Sequence, residues 1–269
     1  MIKVVVFDMD GVLRVGQNLI SGVSGTIDYL NDKNIKYYIN TNECRFTEED
    51  LRNQLKRGGL SINNEVPIYS SGNAVRDYLK DKIIRFPKRK FIIGFIGEEG
   101  LSQNINELSK YHNVRIKDYL KNGNLNNNGL GNNMNNSNSS GDLQESLRYN
   151  NDGSSIYLVV GTVNKIKIKH LEKILFWVNN GAKVIITCGD TSDPSSKGDF
   201  TLGMPNHLLH MSGFNINTKS YSLGKPHQIH SQKILELFPG INPNEILFVG
   251  DTLYTDIRLA EESGFQSAL

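Results

Sequence analysis

Asp8 and Asp10, in the run Val4-Val5-Val6-Phe7-Asp8-Met9-Asp10-Gly11, place two carboxylates one residue apart near the N-terminus. Such a pair suits Mg²⁺, a hard cation that prefers oxygen ligands. It also suits a division of labour in which one carboxylate is a nucleophile and the other an acid/base. Three further groups follow: Thr41-Asn42, Lys225 in Gly224-Lys225-Pro226, and Asp251 with Asp256 in Gly250-Asp251-Thr252-Leu253-Tyr254-Thr255-Asp256. A carboxylate nucleophile, a metal clamp, a hydroxyl and a cation for phosphate oxygens are together what phosphoryl transfer needs. Each group also has a plain structural alternative. Asp8 could be a turn residue after a buried strand, and Thr41 and Asn42 ordinary turn formers. Lys225 could be a lysine at a helix start, and Asp256 could favour the positive N-terminus of the last helix. His207 and His210, and likewise His227 and His230, lack a third ligand and read as surface or packing residues. Cys188 reads as a small buried residue.

The elements that must position these side chains follow from local pattern. Four consecutive apolar residues from Val4 to Phe7, three of them β-branched, predict a strand buried on both faces, as in a parallel sheet. Ligand crevices in such sheets lie at the carboxyl ends of the strands, where Asp8 begins, and Gly11 lets backbone approach a bound group. A helix is expected over 24–30 and a strand over 35–39, ending at Asn40-Thr41-Asn42-Glu43. Thr47 caps a helix with an acidic first turn that runs to Lys56 before Gly58-Gly59 stops it. A short strand over 67–70 and a helix over 73–79 complete a β-α-β-α-β-α order, which implies a parallel, doubly wound sheet. A second α/β segment starts near Lys90, with a strand over 91–96 and a helix through Leu108. Between about Lys121 and Asp152 the composition falls to Asn, Gly and Ser, which predicts a disordered insertion inside a domain. Order resumes with a strand over 156–160, a helix over 167–179 capped by Gly181, and a strand over 184–187. Lys225 is expected to open a helix through Phe238, where unpaired backbone N–H groups also favour anions. The apolar run Ile246 to Val249 repeats the opening design and delivers Asp251. A last helix over 256–263 leads toward another strand.

The 269 residues, 38% hydrophobic and 22% charged, suffice for a sizeable core in one large or two unequal domains. A net charge of +2 gives no argument for nucleic acid or an anionic membrane surface. Cys44 and Cys188 are far apart and offer neither metal-type spacing nor a disulfide framework. The chain enters a strand at once, without room for a signal peptide, and no apolar run approaches membrane-spanning length. A soluble, cytoplasmic protein is the expectation.

With its four motifs in order at strand ends, the sequence resembles the haloacid dehalogenase-like (HAD) phosphatases, in the branch of p-nitrophenylphosphatase, phosphoglycolate phosphatase and pyridoxal phosphate phosphatase. The likeness covers nearly the whole chain outside the Asn-rich tract. It implies an α/β fold, a Rossmann-like doubly wound parallel core with an inserted α/β cap. The core would be residues 1–87 and 218–269 and the cap 88–217, with the Asn-rich loop at about 121–152. It implies a Mg²⁺-dependent hydrolysis of small phosphate monoesters through an aspartyl-phosphate. Asp8 would be the nucleophile, and Asp10 would protonate the leaving group and then activate water. Mg²⁺ would be held by the Asp8 carboxylate, the Asp10 main-chain carbonyl and Asp251, with Asp256 supporting the metal from behind. Thr41 and Lys225 would bind phosphate, with Asn42 supporting. The implied partner is a small phosphorylated metabolite, without nucleic acid or membrane, and a homodimer is left open. Because that family's core continues past the last helix, the end at Leu269 is expected to leave a sheet edge uncovered and to promote association.

Several positions depart from the pattern. Glu43 replaces a usual Asn and adds negative charge near the phosphate site. Arg14 stands where an apolar residue is common, and Tyr254 where an Asp is frequent. Thr187-Cys188-Gly189-Asp190 resembles a Thr-Asn-x-Asp motif whose acidic residue helps face substrate, and Leu202-Gly203-Met204-Pro205 is a degenerate form of the Gly-rich stretch expected after it. Two other functions stay open, a phospho-Asp switch with the same toolkit and a catalytically weak relative that binds metal and phosphate. The inserted segment and Asp10 weigh against the switch; Glu43 and Tyr254 keep the weak relative in play.

Overall fold

The computed structural model describes residues 1–118, 153–190, 203–213 and 220–269. The Asn-rich tract expected to be disordered lies outside the described residues, as does Leu202.

Two five-stranded parallel sheets organise the chain. The first contains β1 (Val4–Phe7), β4 (Lys36–Thr41), β5 (Ile68–Ser70), β11 (Ile246–Val249) and β12 (Gln266–Ala268), in the order β12-β11-β1-β4-β5. Central β1 pairs in parallel with β11 and β4 and is buried along its whole length. Its residues alternate between the two faces. Val5 and Phe7 join the cluster formed with α1 (Val23–Asp32) and α2 (Glu48–Arg57), through Ile27, Leu51 and Leu55. Val4 and Val6 join the opposite cluster with Ile234, Phe248 and Leu259. A strand with both faces covered needs the unbroken apolar run that the sequence supplies. Between β1 and α1 a short antiparallel hairpin, β2 (Arg14–Val15) and β3 (Asn18–Leu19), was not anticipated; two-residue strands carry no periodic signal.

The second sheet contains β6 (Phe91–Ile96), β7 (Val114–Asp118), β8 (Ser155–Val160), β9 (Lys183–Ile186) and β10 (Ser220–Ser222), in the order β10-β9-β8-β6-β7. Its pairings are all parallel. One face carries α5 (Ile168–Asn179) and α6 (Pro205–Met211), which bury Ile174, Trp177, Leu208 and Leu209. The other carries α4 (Glu99–Asn106) and most of α3 (Ser71–Arg85). The helix expected over 73–79 is thus longer at both ends. Ser70 and Asn73 form a reciprocal capping box at its start, and Val75, Leu79 and Ile83 pack on the second sheet while Ala74 faces the first. α3 therefore joins the two sheets. The run from Ser220 to Ser222 lies in the second sheet, beyond residue 218 where a return to the first was expected.

The chain then runs through α7 (Ile229–Leu237), β11, a π-helical turn at Leu253–Ile257 and α8 (Arg258–Glu262). The last helix was expected to open at Asp256; Asp256 instead sits inside the wider turn that precedes it. No helix among the described residues is long and apolar enough to cross a membrane.

Candidate active site

Three strand ends of the first sheet and one loop converge on a cavity of about 550 Å³, roofed by residues of the second sheet's loops. β1 delivers Asp8 directly, and its backbone N–H still donates to the Val249 carbonyl at 2.9 Å. Asp10 follows in a tight turn in which the Leu13 and Arg14 N–H groups donate to the Met9 carbonyl. β4 ends on Thr41, β11 leads to Asp251, and Asp256 reaches in from the π-helical turn. The lining includes Asp8, Asp10, Thr41, Asn42, Lys225, Asp251 and Asp256, and from the second sheet's loops Thr162, Asp190 and Met204. All the site residues expected from the sequence share this cavity.

Lys225 is the hub. Its ammonium donates to Asp8 Oδ1 at 2.6 Å and the Asn40 carbonyl at 3.1 Å and forms an ion pair with Asp256 Oδ1 at 2.7 Å, and the residue is 2% exposed. Burial alone would lower it, but Asp256 and Asp8 outweigh burial and hold the ammonium above the ordinary lysine range. Two carboxylates share this one cation, so with both ionised the buried cluster would carry surplus negative charge. Burial pushes the Asp8 carboxyl up to about 8; Lys225 opposes that shift, and Asp256 and Asp10 reinforce it. Lys225 does not open a helix, as the sequence suggested. It lies in a turn, α7 begins only at Ile229, and the Lys225 N–H donates to Asn42 Oδ1 at 2.8 Å. Its service to an anion is therefore that of the ammonium alone.

The cluster suits a divalent cation. Asp8, Asp251 and Asp256 each offer a carboxylate oxygen within 4.8 Å of the others, and a positive ion would balance the surplus charge. Gly11 supplies the cradle: at its φ of +94°, a Cβ would lie 1.9 Å from Asp251 Oδ2. Only glycine lets the Asp251 carboxylate rest against the backbone of the Asp8–Gly11 turn.

Thr41 Oγ1 accepts from the Glu43 N–H at 3.0 Å, which leaves its proton for an anion in the cavity. The Asn42 side chain is engaged at both ends, since Oδ1 accepts from Lys225 and Nδ2 donates to Asp190 Oδ2 at 2.8 Å. Asp190 thus lines the cavity and also ties the second sheet's loop to the first sheet's site. Burial pushes its carboxyl up, and the bond from Asn42 opposes that. Glu43 does not add a bare negative charge: the Arg45 guanidinium grips it with Nε at 3.0 Å from both oxygens, and the Arg45 N–H donates to Oε1 at 2.7 Å. Arg14, 5% exposed, donates through Nε to Asp10 Oδ1 at 2.8 Å and through its terminal nitrogen to Gln54 Oε1. Tyr254 stands 80% exposed on the cavity's rim. His207 is half-buried and His210 exposed, and neither lies in the cavity lining. Cys188 is fully buried, as expected.

Two residues that no motif marks stand behind the lysine. Asn40 offers its carbonyl to Lys225, and His230, fully buried on α7, lies between the Asn40 amide and the Leu223 carbonyl, 2.9 Å from each. Burial, with Lys225 nearby, lowers the His230 imidazole to about 3, so it is neutral.

A parallel sheet with carboxylates at its strand ends, a second α/β unit over them and a buried lysine between two aspartates define a hydrolase of the α/β class with an acidic site. Comparison with known proteins agrees. The family model described as haloacid dehalogenase-like hydrolase matches residues 5–109, and a second, HAD-hydrolase-like, matches residues 222–269. The chain belongs to the haloacid dehalogenase-like hydrolases. It is 22% identical over 262 residues to the dihydroxyacetone phosphatase of Corynebacterium glutamicum, covering 97% of this chain and 78% of that protein. It is 24% identical over 257 residues to the acid sugar phosphatase of Staphylococcus aureus, covering 95% and 81% respectively. Among solved structures, a hypothetical protein of Pyrococcus horikoshii superposes with a TM-score of 0.71 at 26% identity, covering 98% of this chain and 86% of that one.

Proposed function

We propose that the protein is a Mg²⁺-dependent phosphatase that hydrolyses small phosphate monoesters through an aspartyl-phosphate on Asp8. The observation that carries this reading is the buried Asp8 carboxylate at the cavity floor, with the Lys225 ammonium 2.6 Å from its Oδ1. In the forward half, an Asp8 oxygen attacks phosphorus, an O–P bond forms, and the bond to the leaving oxygen breaks as Asp10 gives that oxygen a proton. In the return half, Asp10 takes a proton from water, whose oxygen attacks phosphorus and frees Asp8. Lys225 and the Thr41 hydroxyl hold the non-bridging oxygens as charge grows on them. Asn42 keeps Lys225 in register rather than touching phosphate with its amide. Mg²⁺ would be held by Asp8, the Asp10 carbonyl and Asp251, and would neutralise the phosphoryl charge. The relatives named dihydroxyacetone phosphatase and acid sugar phosphatase support a small polyol or sugar phosphate as substrate. A cavity of about 550 Å³ suits a ligand of that size. The pairing of Glu43 with Arg45 removes the main reason to read the protein as a weak relative.

The test separates the two carboxylates. Asp8→Asn loses turnover with every substrate. Loss of a general acid/base costs about 10²–10⁴-fold, but p-nitrophenolate leaves without a proton, whereas a sugar alkoxide does not. Asp10→Asn is therefore expected to give a burst of about one nitrophenolate per site, then stall, with little burst from sugar phosphates. Absence of the burst in Asp10→Asn, or its presence in Asp8→Asn, overturns the assignment. Turnover by the unmodified protein must also vanish when Mg²⁺ is chelated and return when it is restored.

A further inference from the structure

We infer that Tyr38, Asn40 and His230 form one buried hydrogen-bond chain that fixes the loop of Lys225 to strand β4, and that His230 is thereby a positioning residue for phosphate binding. Both imidazole nitrogens of His230 face oxygen atoms at 2.9 Å: Nε2 the Leu223 carbonyl, Nδ1 the Asn40 Oδ1, two acceptors that a neutral ring cannot both serve as the amide stands. A carbonyl only accepts, so Nε2 carries the proton. A neutral imidazole then has only a lone pair at Nδ1, and its partner must be a donor. The Asn40 amide nitrogen has no hydrogen-bonding partner in that orientation, although it is buried. Nor has the hydroxyl of Tyr38, fully buried beside that same amide.

One arrangement satisfies all three groups. The Asn40 amide directs its NH₂ to His230 Nδ1 and its oxygen to Tyr38, whose O–H donates to it; the two ends of an amide exchange by a half-turn. The chain then runs from Tyr38 O–H to Asn40 Oδ1, from Asn40 Nδ2 to His230 Nδ1, and from His230 Nε2 to the Leu223 carbonyl. Every buried polar nitrogen and oxygen in it then has a partner, as buried polar groups require. The T-shaped contact of His230 with Tyr69, centroids 5.5 Å apart, holds the ring plane.

The consequence for the site is mechanical. Leu223 is two residues before Lys225, and Asn40 gives the Lys225 ammonium its third acceptor. The same imidazole therefore anchors the loop that carries the lysine and the strand end that receives it. Gly224 between them has no slack, since a Cβ there would lie 2.5 Å from the Thr187 carbonyl and 2.7 Å from Asn42 Oδ1. The effect on phosphate rests on the phosphatase reading; the hydrogen-bond chain does not.

Two measurements test it. A spectrum of the full chain labelled with ¹⁵N-histidine is expected to show His230 with its proton on Nε2 and an accepting Nδ1; an Nδ1–H tautomer or an imidazolium at neutral pH overturns the chain. Calorimetric binding of inorganic phosphate to the Mg²⁺-loaded protein is expected to weaken about tenfold in His230→Leu. His230→Gln, whose amide can donate to Leu223 and accept from Asn40, should recover most of that loss. Equal phosphate affinity in the unmodified protein and His230→Leu, or equal weakening in both variants, overturns the positioning role. If His230→Leu does not fold, the tautomer and the Gln variant still decide. An unmodified protein that binds phosphate but hydrolyses no ester would instead count against the phosphatase reading and leave this inference intact.

Discussion

A buried carboxyl such as that of Asp8 is stabilised in its charged form by a fixed cation, and here the geometry of single residues supplies it. Asp8, Asp10 and Asp251 were legible in the sequence because each follows an apolar run at a strand's end, and Lys225 because it stands in Gly224-Lys225-Pro226. Asn40 and His230 were not, since their role arises only where residues 190 positions apart meet. Gly11 tests the acidic cradle. Gly11→Ala would place a methyl 1.9 Å from Asp251 Oδ2 in a backbone with φ of +94°, so Asp251 must move. The expected result is loss of Mg²⁺ affinity, read as at least a tenfold rise in the Mg²⁺ concentration that half-restores activity, about 1.4 kcal/mol or more; an unchanged Mg²⁺ titration would refute the cradle. His230 gives the pH prediction. Its imidazole sits at about 3 in the folded chain against 6.5 when free, through burial first and then Lys225 and His227, with the Leu223 bond opposing them. Between those values the unfolded chain binds the extra proton, so stability is full above 6.5 and falls as pH drops toward 3. At pH 5 the loss is about 2 kcal/mol. Denaturant unfolding of the unmodified protein and His230→Gln at pH 7 and pH 5 measures it. The advantage of the unmodified protein must shrink by that amount at pH 5, and parallel curves would sink the argument.

At the scale of elements, the long apolar strands were read well and β2, β3, β7 and β10 not at all, while helix starts were uneven: those of α1, α2 and α5 fall within a residue of expectation and that of α7 does not. Apolar runs buried on both faces mark β1, β6 and β8 unmistakably, and an apolar run that alternates buried and half-buried residues marks β11. The start of α7 was misplaced by the lysine before it, because Gly-Lys-Pro looks like a helix entry although the turn delays the helix to Ile229. The π-helical turn that carries Asp256 has no sequence signature, yet such turns recur at functional sites. Packing between elements was invisible, and Gly94 shows why. It sits in the middle of β6, where a glycine weakens a strand. A Cβ there would meet the Trp177 indole of α5 at 2.6 Å, so the glycine is the socket for the largest buried side chain of the second sheet. Gly94→Ala is expected to cost about 1–3 kcal/mol through overpacking. Trp177 is the chain's one tryptophan, so its emission reports the second sheet directly. The variant should shift that emission and lower the unfolding midpoint, while leaving the chemistry at Asp8 active at low temperature. An unaltered spectrum and midpoint would mean that α5 is not docked through this contact.

For the molecule as a whole, α3 ties two sheets together and the site lies where their loops meet, so a change in one unit reaches the chemistry only through those loops. The Asn-rich tract interrupts the second sheet at a point where topology sets a firm requirement. β7 and β8 both run parallel to β6, on opposite sides of it, and both begin opposite Phe91. Ser155 therefore lies back along the sheet and on the other side of β6 from Asp118. With strands about 4.8 Å apart and a rise of about 3.3 Å per residue, that is a distance of roughly 15–20 Å, and parallel crossovers take about a dozen residues or more. Removing residues 122–138 leaves 119–121 and 139–154, enough to make the passage, and changes the closure cost by only about 0.6 kcal/mol because that cost grows with the logarithm of length. This deletion should preserve both the Trp177 unfolding midpoint and phosphatase turnover. Removing residues 119–152 leaves Gly153 and Ser154 alone to bridge the gap, and β7 or β8 must then detach. The expected outcome is a collapsed unfolding midpoint and, since Asp190 and Thr162 reach the cavity from the same sheet's loops, loss of activity with it. Should the short deletion abolish turnover in a protein that unfolds at the unmodified midpoint, the tract would have to act in the site itself rather than serve as a passage across the sheet.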